Sequence, residues 1–333
     1  MSAAAPAGTL SMGAAINAAL RDELRADPTV LVMGEDVARL GGVFRVTDGL
    51  LAEFGEDRVI DTPLAESGII GTAIGLALHG YRPVCEIQFD GFIYPAFDQI
   101  VSQLAKMRAR SGGLLSLPVV IRVPAAGGIG AVEHHSESNE AYFTHTAGLR
   151  VVSCSTPSDA YHLLREAIRS DDPVMFFEPK RRYWDKGEIE VASLPPGAAR
   201  LVRPGTDCTL IAHGPSVAVA LAAAESAERD GVSVAVLDLR SLAPLDMPAI
   251  VAAVQSTGRA VIVHEASTTG GIGAELAARI SQECFFHLES PVLRVGSWDL
   301  PYPPSRTEKE FLPDVDRVLA AVQQSLEFGQ VPS

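Results

Sequence analysis

The segment CTLIAHGPSVAVALAAAESAERDGVSVAVLD, residues 208–238, contains a complete strand–helix–strand unit. Its first and last five residues are largely apolar runs of strand length, and the alanine-rich stretch between them, 215–229, suits a helix. The same alternation continues toward the end of the chain, with strands at 260–264 and 292–295 and helices near 246–256, 273–287 and 313–326. Strands separated by helices form parallel sheets covered by helices, so the sequence predicts an α/β fold.

The first half of the chain repeats this pattern. Apolar, β-rich runs predict strands at 30–34, 84–89, 119–123, 150–153 and 174–177. Helical spacing predicts helices at 11–26, 64–79, 94–110 and 158–170, the last with Ser158 in the capping region. The chain therefore contains two parallel-sheet-rich βαβ regions.

A stretch without a clear period separates the two halves. Residues 186–204 are rich in Gly, Pro and Ala, which is typical of a linker. At 333 residues the chain also exceeds the size at which one core usually stops growing. We expect a flexible N-terminus at 1–10, a first domain at 11–188, a linker at 189–204 and a second domain at 205–333.

Composition excludes several classes of protein. The formal net charge is −14 and no run of Lys or Arg occurs, so neither nucleic acid nor an anionic membrane is an expected partner, whereas a basic protein is. The start of the chain lacks the pattern of a signal peptide, and no stretch approaches the ~18 apolar residues of a membrane span. Four widely spaced cysteines are expected to be reduced core residues: Cys85, Cys154, Cys208 and Cys284. We expect a cytoplasmic protein.

One carboxylate stands out in the first half, within DTPLAESGII at 61–70. Thr62 is placed to cap a helix and Pro63 suits a first helical position, which predicts that Glu66 lies in the first turn of a tightly packed helix. In one interpretation, Glu66 is a first-turn acid whose charge complements the helix dipole. A functional carboxylate accounts for it equally well, and the position alone leaves both interpretations open.

Two further segments follow predicted strands. The polar run HHSESNE at 134–140 is either a surface loop or the location of a histidine that moves protons near neutral pH. The run QFDGFIYP at 88–95 offers aromatic rings that either pack in the core or stack on a flat ligand. Because parallel strands end at one edge of a sheet, we expect Glu66, Phe92 and His135 to converge on one cleft.

Two glycine-rich turns need separate interpretation. GGIG at 270–273 follows a predicted strand, but Leu276 stands where the third glycine of a dinucleotide-binding fingerprint belongs, so we interpret it as a tight strand-to-helix turn. GGIG at 127–130 also lacks the third glycine, and it provides flexible backbone beside His134 and His135.

Five motifs occur in order along the chain: GEDV at 34–37, GGVFRVTDGL at 41–50, DTPLAESGIIGTAIGLAL at 61–78, PAFDQI at 95–100 and HHSESNEAYFTHTAGLRVV at 134–152. Together they resemble the β subunits of thiamine-diphosphate-dependent 2-oxoacid dehydrogenases, and the resemblance extends from about residue 9 to residue 325. It implies a transketolase-like pyrimidine-binding domain followed by a transketolase carboxy-terminal domain. The segment LPYPPSR at 300–306 looks most like branched-chain members of actinobacterial type.

The resemblance implies roles for individual residues. Glu66 would exchange a proton with the pyrimidine ring nitrogen of thiamine diphosphate, and Phe92 would pack on that ring. Leu64 and Gln88 would line the pocket. His135 would face the thiazolium ring and the incoming lipoyl group, and its neighbour His134 is the alternative for this role. No metal ligand is assigned, although family members hold a structural potassium ion on backbone carbonyls.

The resemblance also implies partners. In this superfamily a Gly-Asp-Gly motif holds the diphosphate and its Mg²⁺, and the motif is missing from this sequence. An α subunit would therefore supply that half of the site in a heterotetramer of two α and two β chains. A lipoyl-bearing acyltransferase would be the third component.

Several functions remain open at this point. Branched-chain 2-oxo acids are the expected substrates, pyruvate is the alternative, and acetoin is more distant. An NAD-dependent oxidoreductase using the turn at 270–273 and a non-catalytic docking subunit are hypotheses of different classes. The broken glycine fingerprint argues against the first, and the joint presence of Glu66, Phe92 and His135 argues against the second.

Overall fold

The computed structural model describes residues 8–329, which divide into two compact units. The first unit comprises the chain through Ala126 together with His134–Pro196, and the second comprises Gly127–Glu133 and the chain from Gly197 onward. Of the stretch expected to be flexible, residues 1–7 lie outside the described residues, and Thr9 and Leu10 belong to a paired strand.

The first unit is built on six parallel strands. In chain order they are β2 (Val30–Gly34), β3 (Val59–Asp61), β4 (Arg82–Glu86), β5 (Val120–Ala125), β6 (Arg150–Ser153) and β7 (Val174–Pro179). Within this unit they pair in the order β6-β7-β5-β4-β2-β3. A separate antiparallel pair joins β1 (Thr9–Ser11) to β8 (Lys186–Glu188). Strands β2, β5 and β7 are buried along their whole length, as expected for a parallel sheet covered on both faces.

Helices cover this sheet: α1 (Met12–Ala26), α2 (Leu50–Phe54), α3 (Glu66–Leu78), α4 (Ala105–Arg110), α5 (Glu140–Thr144) and α6 (Pro157–Arg169). The cap of α6 is Thr156, not Ser158, because Thr156 Oγ1 accepts a hydrogen bond from the Asp159 amide and Pro157 fills the first helical position.

The helix predicted at 94–110 is divided in the structure. A 3₁₀ helix runs over Asp90–Ala96, a π-helical stretch over Gln99–Leu104, and only α4 is regular α-helix. Pro95 has no amide hydrogen to donate within the 3₁₀ helix, so a regular helix is interrupted there. Such π-helical stretches are rare and often lie near functional sites.

The second unit contains a five-stranded sheet in the order β14-β13-β10-β11-β9. Its strands are β9 (Arg200–Arg203), β10 (Cys208–Ala212), β11 (Val234–Asp238), β13 (Ala260–Ser267) and β14 (Leu293–Ser297), and the unit also contains the short strand β12 (Ser241–Ala243). Its helices are α7 (Ser216–Arg229), α8 (Met247–Thr257), α9 (Ile272–Glu283), α10 (Glu308–Phe311) and α11 (Val315–Glu327). β9 pairs antiparallel with β11, so the sheet begins inside the segment expected to be a linker.

Both glycine-rich turns are held in place within the second unit. A Cβ at Gly273 would collide with His264 Nε2, so glycine is required where the chain passes over that buried ring. The turn at 270–273 joins β13 to α9, which confirms the strand-to-helix interpretation. The amides of Gly128 and Gly130 both donate to the Glu308 carboxylate, so the earlier glycine turn is anchored.

All four cysteines are buried, as the sequence predicts, and none of them forms a disulfide bond. Across residues 8–329, every helix is too short or too polar to cross a membrane.

Candidate functional site

The three predicted site segments follow three parallel strands of the first unit. Strands β3, β4 and β5 precede Glu66, Phe92 and His135 respectively, and all three strands run in the same direction. Their carboxyl ends therefore lie at one edge of the sheet, where open α/β sheets bind ligands.

An aromatic and histidine cluster lies at this edge. The ring centroids of Phe92 and His135 are 5.1 Å apart, and Phe89 lies 4.3 Å from His135 and 5.7 Å from Phe92. His134 is 5.5 Å from Phe92. Phe92 and His135 are half-buried, whereas His134 is exposed. The structure thus brings Phe92 and His135 together, and Phe89 is a cluster member that the sequence prediction did not include.

Glu66 begins α3 and is 8% exposed. The prediction that Thr62 caps this helix and that Pro63 occupies its first turn is wrong, because the N-cap position belongs to Ala65. No side chain caps α3 among the described residues, so its first amides are open to other partners. The carboxylate of Glu66 therefore lies next to a helix N-terminus that lacks its own cap.

A second acid accompanies Glu66. Glu35 follows β2, and burial raises the pKa of its carboxyl group, with the nearby carboxylates of Glu66 and Asp36 raising it further. Like charges resist simultaneous ionisation, so Glu35 keeps its proton to higher pH than an isolated glutamate. The sequence signal for Glu35 was its position in GEDV, directly after a predicted strand.

Gln88 lies beside this acidic pair. Its Nε2 is 3.4 Å from Glu35 O and 3.3 Å from Asp36 Oδ2, which ties the end of β4 to the end of β2. Helix α3 also contacts the 3₁₀ helix that carries Phe92. These contacts connect the acidic residues and the aromatic cluster through adjacent elements of the same unit.

Leu64 is on the surface of this chain, with 80% of its area exposed. The neighbouring face of α3, which includes Gly68, Gly71 and Gly75, is also exposed. The prediction that this helix is packed on all sides is therefore wrong for the single chain. Leu64 and this face of α3 are therefore accessible to another molecule.

Two residues at this edge have unusual backbone conformations. Among the described residues, four that are not glycine have positive φ, and two of these, Asp36 and Ala126, lie just past the ends of β2 and β5. Their φ angles are 57° and 70°. Such conformations cost energy for residues with a Cβ and cluster at functional sites.

A cavity of about 590 Å³ lies elsewhere in the first unit and has none of the predicted site residues in its walls. Arg150, Arg165 and Arg169 line it, and their guanidinium groups pair with Glu166 and Glu23 at 2.6–3.1 Å. The charges of that cavity are thus largely neutralised by one another. Within residues 8–329 no group of three or more His, Cys, Asp or Glu side chains is arranged to hold a metal ion.

Comparison with known proteins matches both units to described domains. Residues 8–185 match the transketolase pyrimidine-binding domain, and residues 197–318 match the transketolase C-terminal domain. A solved structure titled "Split gene transketolase, inactive beta4 tetramer" superimposes with a TM-score of 0.78 at 24% identity, covering 97% of this chain and 100% of that one. The transketolase-like fold is therefore confirmed.

Two relatives are similar over nearly their whole length. The pyruvate dehydrogenase E1 component subunit beta of Leifsonia xyli is 58% identical over 322 residues, 96% of each chain. The 3-methyl-2-oxobutanoate dehydrogenase subunit beta of Mycobacterium tuberculosis is 56% identical over 321 residues, 96% of this chain and 92% of the relative.

Proposed function

The chain belongs to the family of 2-oxoacid dehydrogenase β subunits, and we propose that it serves a thiamine-diphosphate-dependent enzyme specific for branched-chain 2-oxo acids. With an α subunit it catalyses the oxidative decarboxylation of 3-methyl-2-oxobutanoate, and the acyl group passes to a lipoyl group of an acyltransferase. The observation that carries this proposal is the packing of Phe92 against His135 at the sheet edge that also holds Glu66.

The residues present suit the pyrimidine half of the cofactor. Thiamine diphosphate supplies the electron sink that allows a 2-oxo acid to lose carbon dioxide. The nearly buried Glu66 carboxylate holds and returns a proton at the pyrimidine ring nitrogen, shielded from competing water. Phe92 offers a half-buried ring face to the pyrimidine, and Leu64 and Gln88 line its pocket.

His135 has a separate role in the proposal. An imidazole changes charge near neutral pH, so it can hold a proton for the incoming lipoyl sulfur. The half-buried ring of His135 packs against Phe89 and Phe92, while the adjacent His134 is exposed. His135 is therefore the better-placed of the two histidines.

A partner chain completes the site. The sequence has no Gly-Asp-Gly motif to hold a diphosphate and Mg²⁺. The exposure of Leu64 and of the glycine face of α3 supports a surface that an α subunit covers. We infer a heterotetramer of two α and two β chains.

Pyruvate is the second candidate substrate. One relative named for pyruvate and one named for 3-methyl-2-oxobutanoate are almost equally similar to this chain, at 58% and 56% identity. The segment at 300–306 favours the branched-chain assignment.

Co-expression with its α chain tests assembly and substrate together. Turnover of 3-methyl-2-oxobutanoate and pyruvate is measured with an artificial electron acceptor, for the β chain alone and for the complex. We expect activity only in the complex, with the larger kcat/KM for the branched substrate. Preference for pyruvate would move the assignment to the second candidate, and activity of the isolated β chain would contradict the shared site.

A further inference from the structure

A buried lysine joins three segments that surround the aromatic and histidine cluster. Lys180 follows β7 and is fully buried. Its Nζ donates to Ala126 O, just past the end of β5, and lies 3.8 Å from Asp90 Oδ1. Asp90, also fully buried, begins the 3₁₀ helix that carries Phe92.

The segment that carries His135 is hydrogen-bonded to Asp90 and Ala126, the two residues that Lys180 contacts. Asn139 Nδ2 donates to Asp90 O at 2.8 Å. The Ala126 amide donates to Glu137 O at 2.9 Å, and Tyr94 Oη donates to Glu137 Oε2 at 2.6 Å. The segments that carry Phe92 and His135 are thus both linked to Lys180 through Asp90 or Ala126.

The backbone at Ala126 depends on these bonds. Its φ of 70° is unfavourable for alanine, yet both its carbonyl and its amide are hydrogen-bonded, to Lys180 and to Glu137. Removal of the ammonium group would leave a strained carbonyl without its donor in the interior. We therefore expect this turn to relax when Lys180 is replaced.

The carboxyl group of Asp90 depends on Lys180 as well. Burial raises the pKa of Asp90 to about 8, and the charge of Lys180 opposes that rise. Without the charge of Lys180 the carboxyl group would lose its attraction to Nζ, and it would either stay protonated over a wider pH range or move toward water. Either change alters the start of the 3₁₀ helix that carries Phe92.

We propose that Lys180 is a positioning residue that holds Phe92 and His135 against each other by binding both Asp90 and the Ala126 carbonyl. The expected loss of activity rests on the proposed function, whereas the expected displacement of the Phe92 and His135 rings does not. Lys180 itself acts only through these neighbours.

The test uses Lys180→Met in the complex with the α chain. Arg165→Met is the matched control, because Arg165 is another buried cation of the first unit, paired with Glu23 at 2.7 Å. Crystal structures, thermal unfolding and decarboxylation kinetics are compared for both variants and for the unmodified complex.

We expect Lys180→Met to increase the 5.1 Å separation of the Phe92 and His135 rings and to lower kcat by about 10- to 100-fold. Arg165→Met should lower the unfolding temperature while leaving kcat and the ring separation unchanged. Unchanged ring positions in Lys180→Met, or equal kcat losses in the two variants, would overturn the proposal.

A complex without any decarboxylase activity would refute the proposed function, and the ring separation alone would then decide the role of Lys180. If Lys180→Met does not fold, Asp90→Asn replaces it, because this change removes the carboxylate that Lys180 faces and leaves the Asp90 carbonyl bonded to Asn139. Displaced rings would support the proposal, and rings in their original positions would contradict it.

Discussion

Replacing Gly91 with alanine is expected to displace the backbone that carries His134 and His135 in the candidate site. A Cβ at Gly91 would lie 2.5 Å from His134 O and 2.6 Å from His134 Cα. Ordinary van der Waals contact begins at 3.4 Å, so the His134 carbonyl must retreat by the difference, about 0.9 Å. The contact is with backbone, so rotation of a side chain cannot relieve it.

The expected cost has a structural and a catalytic part. Overpacking of this kind destabilises a fold by about 1–3 kcal/mol. A displacement near 1 Å at a reacting group costs about 100-fold in rate, and His135 is bonded directly to the displaced residue. We therefore predict a kcat loss of about 100-fold in the complex, with only a modest loss of stability.

The assay measures decarboxylation by the α/β complex together with thermal unfolding of the same sample. Gly13→Ala is the control, because its Cβ would make ordinary contacts, the shortest being 3.6 Å to Tyr183 O, inside helix α1. That variant should be as active as the unmodified chain and equally or more stable. Full activity of Gly91→Ala would refute the placement of His135 beside the reacting groups.

Three further predictions concern histidines and one close backbone contact. His135→Ala should reduce lipoyl-dependent acyl transfer more than decarboxylation with an artificial acceptor, and equal losses would contradict its role. Burial lowers the pKa of His213 to about 3 and of His264 to about 4, so the unfolded chain binds two protons that the folded chain excludes. The contribution of these two histidines to stability is full above pH ~6.5 and falls by up to about 3 kcal/mol per pH unit as pH drops from there toward 4. His264→Gln should halve that slope in urea unfolding, and an unaltered slope would count against the assignment. In Gly148→Ala the new Cβ would collide with Ala105 O, and Gly148 has a φ of 102° that alanine rarely adopts. The change should lower the free energy of unfolding by about 3 kcal/mol or more in the same urea titration, and a loss under about 1 kcal/mol would contradict the contact.

The regular strands were predictable from sequence. Both β2 (Val30–Gly34) and β10 (Cys208–Ala212) have the predicted bounds, because a parallel strand buried on both faces appears as a short continuous apolar run. The order of these runs with helices between them also predicts the α/β class. Strand β9 was missed, since a partly exposed antiparallel edge strand has no such apolar run.

The start of α3 was not predictable from local preferences. Thr62 and Pro63 have the residue types of a helix start, yet the structure begins the helix at Glu66. Local propensity is a weak guide where tertiary contacts fix the chain. The Thr62 amide donates to Gly34 O, which places this residue beside β2 instead of on the helix.

The candidate site was predictable in part. Positions after strand ends indicated Phe92 and His135, and the structure brings their rings together. Asp90 and Lys180 gave no signal, because charged residues are usually exposed and nothing local indicates that these two are buried beside each other. Such pairs depend on segments that are distant in sequence, so only the folded chain reveals them.

The decarboxylation rate of a complex containing Glu66→Gln tests the central claim most directly. Glutamine keeps the size of the side chain and one acceptor oxygen but cannot exchange a proton with a ring nitrogen. The variant should assemble with the α chain and unfold at nearly the same temperature, while its decarboxylation rate falls by about 10²- to 10⁴-fold. A correctly assembled Glu66→Gln complex that decarboxylates 2-oxo acids at the rate of the unmodified enzyme would contradict the role of Glu66 in cofactor activation.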